Sequence, residues 1–527
     1  MAGPRCVARV TEFNHNLRRD TAGGMGRWFG AARRWARLAR PAAAIALGLA
    51  LAWVAYPAEN APEEVPPLEP NLPESPSPEE EGPSRLKRET RITIETNAPP
   101  ELAGATAAAK TKSLHWASSW LGWDGLHMAV SRKTRLTDPW AEFRTTVAGT
   151  NSTPIFHLEE LRLSGKVGAK LALDAAAFVT GSQFDDYDGG AELRRARIYA
   201  KGDCLLVLPV SYQLEIGYIP DEFYIEESYL SFKDIPLIGE LRGGQYQAPM
   251  GLDVITGSRD IMFMEPAAPL QALVPGVNAG IQMGRPLLDR RATWRLGLFG
   301  DGVGQDYGDA TKDFGRAIVR FTGLPFYQAS TEEPEATKLL HVGLSANVLY
   351  SANNSVRYQA RPESHLAPYA VDTGEIQASE ALVAGVEVAW VNGPFSIQGE
   401  SLHAWVREQD GETPGFGGMY VSASWLLTGE SRPYDKAEGM FGRVIPKRNF
   451  DWGHGGWGAW ELAARYSSVD LDSGDVHGGR LSMLMVGVNW YLHSHVRWRL
   501  NYGLGRVSER SPEGNLNVFE TRVEIDF

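Results

Sequence analysis

The last nine residues of the chain, FETRVEIDF (residues 519–527), alternate between two kinds of side chain. Every second position from Phe519 onward is apolar or Thr, and the four positions between them are all charged. Because successive side chains of a β-strand point to opposite sides of the sheet, this stretch predicts a strand with one apolar face and one charged face.

Earlier stretches repeat this period of two, and aromatic residues cluster near their ends. Four clear examples are YQLEIGY (212–218), WELAARY (460–466), LMVGVNWYL (484–492) and VRWRLNYGL (496–504). Many such segments run for about 9–12 residues, the length that a tilted strand needs to cross a bilayer. A sheet in hydrocarbon must close on itself, because each unpaired polar group at its edge costs several kcal/mol. The sequence therefore predicts an all-β fold, a closed antiparallel transmembrane β-barrel.

The alternating part of the chain contains about sixteen strands, an even number as expected for a bacterial outer-membrane barrel. Tight turns such as 392–393 and 493–494 alternate with long polar loops such as 429–456, and we expect the short turns at the periplasmic end and the long loops outside. The predicted strands are 166–179, 191–202, 208–218, 222–231, 239–249, 276–285, 292–300, 314–322, 338–350, 382–392, 394–405, 416–428, 457–468, 480–493, 495–506 and 516–527.

The first third of the chain has a different composition. Nine Arg residues precede an apolar run from Ala42 to Tyr56, which predicts a secretory signal, although a single N-terminal anchor helix is the alternative. The following Glu- and Pro-rich stretch cannot bury enough apolar surface to fold. The predicted organisation is a signal peptide at 1–58 (with Met25 as a second possible start), a disordered tether at 59–100, a periplasmic or transitional segment at 101–156 and an outer-membrane β-barrel at 157–527.

Composition excludes several classes of function. The 527 residues carry a net charge of -12, which argues against a nucleic-acid partner. Their mean hydropathy of -0.26 argues against a protein with many helical membrane spans. Two cysteines, Cys6 and Cys204, provide neither a disulfide framework nor a cysteine-based zinc site. Catalytic and nucleotide-binding signatures such as G-x-S-x-G, the P-loop and H-E-x-x-H do not occur, so we predict no enzyme, no cofactor and no metal site.

Five motifs of the chain carry a family resemblance, namely AELRRARIYAKG (191–202), GGQYQAPMGLD (243–253), SRDIMFMEPA (258–267), FGRVIPKRNF (441–450) and GGWGAWELAARYS (455–467). Through them the chain resembles, over about residues 157–527, the phosphate-selective porin O/P family of outer-membrane channels. The resemblance implies a homotrimer of sixteen-stranded barrels, each with a loop, about 250–275 here, folded into the lumen as an anion-binding constriction. Gln247 and Pro266 stand where the family usually has basic residues.

Eight basic residues are candidates for lining the pore and binding anions. Guanidinium groups suit this task because they stay charged and offer several donors to an oxyanion. For the residues of strand 191–202, charge balance by Glu215 or Glu226 is an equal alternative, and opposite charges across strands favour neutralisation at 461–465 and 497–526. The candidates are Arg195, Arg197, Lys201, Arg242, Arg259, Arg465, Arg497 and Arg499.

We therefore predict an outer-membrane porin that forms a passive diffusion channel for small solutes, including phosphate or other anions. Expected partners are outer-membrane lipid, these solutes, two further copies of the chain, and the cell wall through the N-terminal tether. One alternative is a non-conducting barrel that acts as a structural tether or adhesin. Another is a secreted soluble β-sandwich that binds glycan, since a sandwich shows the same period of two.

Overall fold

The computed structural model describes residues 155–158, 163–181, 184, 187–205, 208–219, 222–300, 315–329, 337–351, 354–409 and 411–527. The predictions made for residues 1–154, namely the signal peptide, the tether and most of the transitional segment, lie outside the described residues.

Within these ranges the chain forms 22 strands and two short helices. The strands are β1 (Ile155–Leu158), β2 (Leu163–Thr180), β3 (Gly190–Leu205), β4 (Pro209–Ile219), β5 (Glu222–Ile235), β6 (Gly239–Gln247), β7 (Val277–Leu287), β8 (Ala292–Phe299), β9 (Arg316–Gln328), β10 (Lys338–Tyr350), β11 (Ser355–Val356), β12 (Gln359–Ala360), β13 (Val371–Asp372), β14 (Ile376–Asn392), β15 (Phe395–Glu408), β16 (Gly415–Leu426), β17 (Tyr434–Asp435), β18 (Met440–Phe441), β19 (Ala459–Ser473), β20 (Val476–His493), β21 (Val496–Ser508) and β22 (Gly514–Asp526). The helices, α1 (Leu252–Thr256) and α2 (Ala268–Leu273), both lie between β6 and β7.

Sixteen of these strands form one closed antiparallel barrel, namely β2–β10, β14–β16 and β19–β22. The barrel closes because β2 pairs with β22 as well as with β3, with Lys170 opposite Asp526 at one end of the seam and Thr180 opposite Leu516 at the other. Each strand of the wall therefore has a partner on both sides. The predicted fold class and strand number are confirmed, and each predicted strand overlaps one of the sixteen.

The two sides of the wall have opposite chemistry. Large apolar side chains such as Ile198, Phe321 and Trp498 are exposed on the outside. By contrast, Arg499 and Arg522 are among the largest fully buried side chains. This arrangement inverts that of a soluble protein, and it is the one required when hydrocarbon surrounds the wall. Within the described ranges, no helix has the length and hydropathy needed to span a membrane.

Antiparallel pairing makes successive connections alternate between the two ends of the barrel, and this parity locates every loop. The turns at 393–394 and 494–495 lie at the same end as the last residues of β22. The 427–458 segment joins β16 to β19, and parity places it at this C-terminal end as well. The prediction that long loops lie opposite the short turns is therefore wrong for 429–456. The prediction relied on the length of the loop alone, whereas the direction of the strands that flank the loop decides at which end of the barrel it lies.

The 427–458 segment extends into the barrel. Its strands β17 and β18 form a small hairpin, here called the inner hairpin (residues 434–441). Phe441 and Tyr434 stack edge to face at 5.4 Å and pack in a buried cluster with Leu252 of α1 and with wall residues of β9, β10 and β14. The inner hairpin is thus held against both the wall and the 248–276 segment, which arrives from the opposite end.

A larger apolar cluster fills the other end of the interior. Inward-facing side chains of the wall, such as Met483 and Val518, pack there against the 248–276 and 351–375 segments. The buried segment side chains include Met262, Phe263, Leu270, Val356, Tyr358 and Val371. The interior thus has an apolar layer at this end and a charged layer nearer the C-terminal end.

Candidate functional site

Three of the eight candidate cations lie on the inner face of β3. Arg197 forms ion pairs with Glu226 at 2.8 Å and Glu215 at 3.5 Å, and Arg195 has Glu524 at 3.6 Å. Lys201, by contrast, has no carboxylate within 4.0 Å among the described residues, and its ammonium lies 5.5 Å from the ring centre of Tyr199. For Arg197 the structure therefore shows the charge balance that was expected as an alternative.

The candidates on β19 and β21 hold the 248–276 segment by its backbone. Arg499 donates to the carbonyl oxygens of Phe263 at 2.7 Å and Ser258 at 2.9 Å. Arg497 donates to the carbonyl of Arg259 at 2.7 Å, and Arg465 reaches the carbonyl of Glu265 at 3.1 Å. These guanidinium groups fasten the segment to the wall and therefore do not form a free row of anion donors.

The same three guanidinium groups also have carboxylate partners. Arg499 pairs with Glu524 at 2.6 Å, as expected for neighbouring strands. Arg465 pairs with Glu363, and Glu461 lies 3.8 Å from Arg497. The sequence suggested a pair between Glu461 and Arg465, but residues four apart on a strand are separated by about 13 Å along it. A shared face therefore does not make them neighbours.

Two further candidates, Arg242 and Arg259, are paired as well. Arg259, in the 248–276 segment, binds Asp526 of β22 at 2.6 Å. Arg242 on β6 binds Glu240 at 2.8 Å, and its guanidinium carbon lies 4.7 Å from the ring centre of Tyr229 and 5.5 Å from that of Tyr246. Seven of the eight candidates therefore have a carboxylate within 4.0 Å, namely Arg195, Arg197, Arg242, Arg259, Arg465, Arg497 and Arg499.

Several charged residues of the interior were not among the sequence candidates. Arg295 on β8 and Arg320 on β9 face inward, and Arg320 forms a fully buried ion pair with Glu387 at 2.7 Å. Arg443 of the 427–458 segment shares Asp526 with Arg259. The period of two in β8 and β9 could have identified Arg295 and Arg320. The position of Arg443 depended on the unexpected side of its loop.

The positions where basic residues were expected have structural contacts. Gln247, at the end of β6, donates from Nε2 to the carbonyls of Pro275 at 3.0 Å and Gly276 at 3.1 Å. It therefore ties together the two ends of the 248–276 segment. The carbonyl of Pro266 accepts a hydrogen bond from Gln271 at 2.8 Å, within the same segment.

The acidic residues of the 248–276 segment lie in contrasting environments. Burial would raise the pKa of Glu265, but the guanidinium groups of Arg194, Arg522 and Arg195 outweigh it and hold that pKa well below its usual range. Burial raises the pKa of Asp253, against the opposing influence of Arg465. Glu265 is therefore a firmly ionised anchor for the segment.

The arrangement is a belt of paired charges in a closed barrel with an apolar exterior. Most of its donors are engaged by carboxylates or by carbonyl groups of the infolding segments, so the belt can attract or repel ions only through small local imbalances. Such a barrel, apolar outside and charged inside, has the architecture of an outer-membrane porin.

The chain belongs to the phosphate-selective porin O and P family, whose model matches residues 166–527. It is therefore an outer-membrane protein that forms a channel for small solutes, as the sequence predicted. The family resemblance seen in the sequence motifs is confirmed.

Two curated relatives and one solved structure illustrate the similarity. An uncharacterized protein of Caulobacter vibrioides is 28% identical over 358 residues, covering 64% of this chain and 68% of the relative. Porin O of Pseudomonas aeruginosa is 24% identical over 349 residues, covering 58% of this chain and 74% of the relative. The outer-membrane expressed OmpT of Vibrio cholerae has a TM-score of 0.44 and 12% identity, covering 71% of this chain and all of that one.

Proposed function

We propose that this barrel is a passive channel with weak charge preference, which carries small solutes that include phosphate and other anions. The observation that supports this proposal is the pairing of the candidate cations, for example Arg499 with Glu524 at 2.6 Å and Arg259 with Asp526 at 2.6 Å. A solute passes down its own gradient and leaves unchanged, so no covalent step and no cofactor take part.

The weak preference follows from the range of electrostatic fields. An unpaired guanidinium attracts an anion through its full charge, whereas a cation and an anion a few ångströms apart largely cancel at greater distance. Lys201 has no carboxylate within 4.0 Å among the described residues and lies 5.5 Å from the ring centre of Tyr199, which makes it the candidate best placed to attract an anion. Lumen charge therefore biases entry into the channel without binding any one ion tightly.

The test is the zero-current potential of the purified full-length protein in a planar bilayer under a KCl gradient, followed by addition of phosphate. We expect a conducting pore with a potential close to zero and little loss of current on phosphate addition. A large anion-directed potential with block by phosphate would overturn weak selectivity, and absence of conductance would overturn the channel itself.

A second candidate function is a non-conducting barrel that serves as a structural tether or adhesin. The observation that favours it is the apolar cluster in which Met262 and Phe263 pack with Met483, across the interior of the barrel. Its test combines conductance with peptidoglycan pull-down of the full chain and of a variant lacking residues 59–155. Absence of conductance together with binding that needs this segment would favour the tether, and retention without the segment would count against cell-wall contact through it.

We also propose that the protein assembles as a homotrimer in outer-membrane lipid. The outer face near the seam offers an apolar recess where small residues Ala175 and Ala177 lie beside Phe519 and Tyr502. A second copy would bury this surface. Native mass spectrometry of the detergent-purified protein tests the stoichiometry, and a monomer at all protein concentrations would contradict it.

A further inference from the structure

The tip of the inner hairpin binds arginine residues from three strands of the wall. Arg295 donates to the Glu438 carboxylate at 2.6 Å and to the Ala437 carbonyl at 3.2 Å. Arg242 lies 3.5 Å from the same carboxylate, and Arg320 donates to the carbonyl of Gly439 at 2.9 Å. One carboxylate and two carbonyls of a single turn thus face three guanidinium groups.

The turn is shaped for this position. The Asp435 carboxylate accepts hydrogen bonds from the backbone N–H groups of Ala437 at 2.8 Å and Glu438 at 3.1 Å, which fixes the bend. Gly439 has φ of 69°, and a Cβ there would meet the Thr322 hydroxyl oxygen at 2.8 Å. A glycine is therefore needed both for the left-handed backbone and for the close approach to the wall.

At the base of the inner hairpin, the Tyr434 hydroxyl lies 2.6 Å from Nδ1 of His341 on β10. The backbone N–H of Phe441 donates to the Thr256 hydroxyl at 3.3 Å, and its ring is buried in the cluster around Leu252. These contacts hold the base independently of Glu438, so the tip can be released from the arginines while the base stays in place.

The positive charges of the three wall arginines are balanced by carboxylates only when the tip of the inner hairpin is in place. Arg242, Arg295 and Arg320 carry three positive charges, and Glu240 on β6 and Glu387 on β14 supply two negative charges from the wall. Glu438 supplies the third, and its side chain is 32% exposed while that of Glu387 is 1% exposed. Without Glu438 the group would keep one uncompensated positive charge.

We propose that Arg242, Arg295 and Arg320 form an anion-binding site that is normally occupied by the tip of the inner hairpin, and that a solute oxyanion, a carboxylate or phosphate, displaces Glu438 to bind there. The tip imitates such a ligand, because it presents negatively polarised oxygens to guanidinium forks. This inference deepens the proposed channel function, on which it rests. It makes the 427–458 segment a specificity element that hides the strongest anion site of the belt.

The experiment compares the full-length protein with its Glu438→Gln variant in planar bilayers. The glutamine keeps the size of the side chain and removes its charge, so the three arginines gain one net positive charge. We expect an anion-directed shift of the zero-current potential under a KCl gradient. We also expect phosphate to reduce the current at a concentration about tenfold lower, which corresponds to about 1.4 kcal/mol of binding free energy, because no carboxylate competes for the guanidinium groups.

Asp451→Asn is the matched control, because Asp451 lies in the same segment but forms its ion pair with His454 at the exposed surface. It should behave as the unaltered protein does. Adding Arg295→Gln to Glu438→Gln should abolish the gain in phosphate sensitivity, which assigns that gain to this site.

A second variant, Gly439→Ala, displaces the tip without removing its charge, and it should shift the potential in the same direction. Gly411→Ala is its control, since Gly411 also has a positive φ but no atom within 4 Å of an added Cβ. Unchanged potentials in both Glu438→Gln and Gly439→Ala, with normal conductance, would overturn the proposal.

If the unaltered protein does not conduct, the channel function fails while this site can still be tested. Phosphate binding to the detergent-purified protein, measured by titration calorimetry, should then be tighter for Glu438→Gln than for Asp451→Asn. Equal binding by the two variants would overturn the site as well.

Discussion

Arg522 on β22, the last strand of the barrel, binds Asp174 on β2, the first strand of the barrel, through two hydrogen bonds, Nε to Oδ1 at 2.7 Å and Nη2 to Oδ2 at 2.6 Å. The same guanidinium donates to the Met264 carbonyl at 2.6 Å and to the Glu265 carboxylate at 2.6 Å. One side chain therefore joins the two strands of the seam and fastens the 248–276 segment to them.

We expect Asp174→Ala to destabilise the barrel by about 3 kcal/mol, because it leaves a fully buried guanidinium with one carboxylate fewer. The measurement is the urea midpoint of the refolded protein in detergent. Asp470→Asn is the control, since it breaks an exposed ion pair with Arg480 that contributes at most about 1 kcal/mol. Equal losses in the two variants would contradict a structural role for the seam pair.

Glu363 should control the docking of two segments at once. Its carboxylate accepts hydrogen bonds from the backbone N–H of Ala268 at 2.9 Å, from Arg465 and from the Ser467 hydroxyl. Glu363→Gln removes the charge that compensates Arg465, so the 351–375 segment should detach from the 248–276 segment. We expect faster trypsin cleavage after Arg361 and a larger single-channel conductance.

The control for this variant is Glu375→Gln, because the Glu375 side chain is 58% exposed and pairs at the surface with Arg357. It should leave both the cleavage rate and the conductance unchanged. If Glu363→Gln behaves in the same way, the buried carboxylate is not what holds the segments together.

The pH dependence of stability should reveal Glu265. Its pKa in the folded protein is held well below the ordinary value of 4.5 by Arg194, Arg522 and Arg195, against the effect of burial. The unfolded chain therefore binds more protons in the acid range, and the stabilisation is fully present above about pH 4.5 and is lost as pH falls through the lower folded pKa. Glu265→Gln should lower the urea midpoint at pH 7, and its difference from the unaltered protein should shrink at more acidic pH. A difference that is constant with pH would contradict this account.

Because successive connections alternate between the two ends of the barrel, the strand order predicts which connections a reagent outside the cell can reach. With Cys6 and Cys204 replaced by Ser, an impermeant maleimide should label Asp475→Cys in intact cells. The reason is that the 474–475 turn lies at the end of the barrel opposite the turns at 393–394 and 494–495, which we expect in the periplasm. Asp451→Cys should be labelled only after the outer membrane is permeabilised. Labelling of Asp451→Cys in intact cells would place the 427–458 segment outside and contradict the parity assignment.

The sequence was sufficient to predict the wall of the barrel but not the contacts inside it. Alternation in stretches such as 496–504 directly encodes a strand with one lipid-facing and one inward face, and closure follows from the cost of an open edge. The partner of Arg465, in contrast, is Glu363, 102 residues earlier, and that of Arg522 is Asp174, 348 residues earlier. Spacing along one strand contains no information about pairs formed across the interior.

The predicted position of the 429–456 loop was wrong for a related reason. A long polar stretch such as 429–456 looks the same in sequence whether it lies outside or turns into the barrel. Its apolar members Tyr434 and Phe441 find their partners on β9, β10 and β14, which the chain pattern does not bring next to them. The alternation of side chains along β8 and β9 could have predicted that Arg295 and Arg320 face inward. No such pattern could have predicted that Glu438 binds them.

The double attachment of Arg522 has a consequence for the order of assembly. Until the last strand pairs with the first, the carbonyl of Met264 and the carboxylate of Glu265 lack this guanidinium. We therefore expect closing of the wall and docking of the 264–265 part of the segment to be coupled. In an insertion intermediate that stalls before closure, Arg465, Arg497 and Arg499 would still hold the segment, and only its attachment to the seam would be missing. Pairing of the last strand of the barrel with the first is thus the step that completes the filled interior.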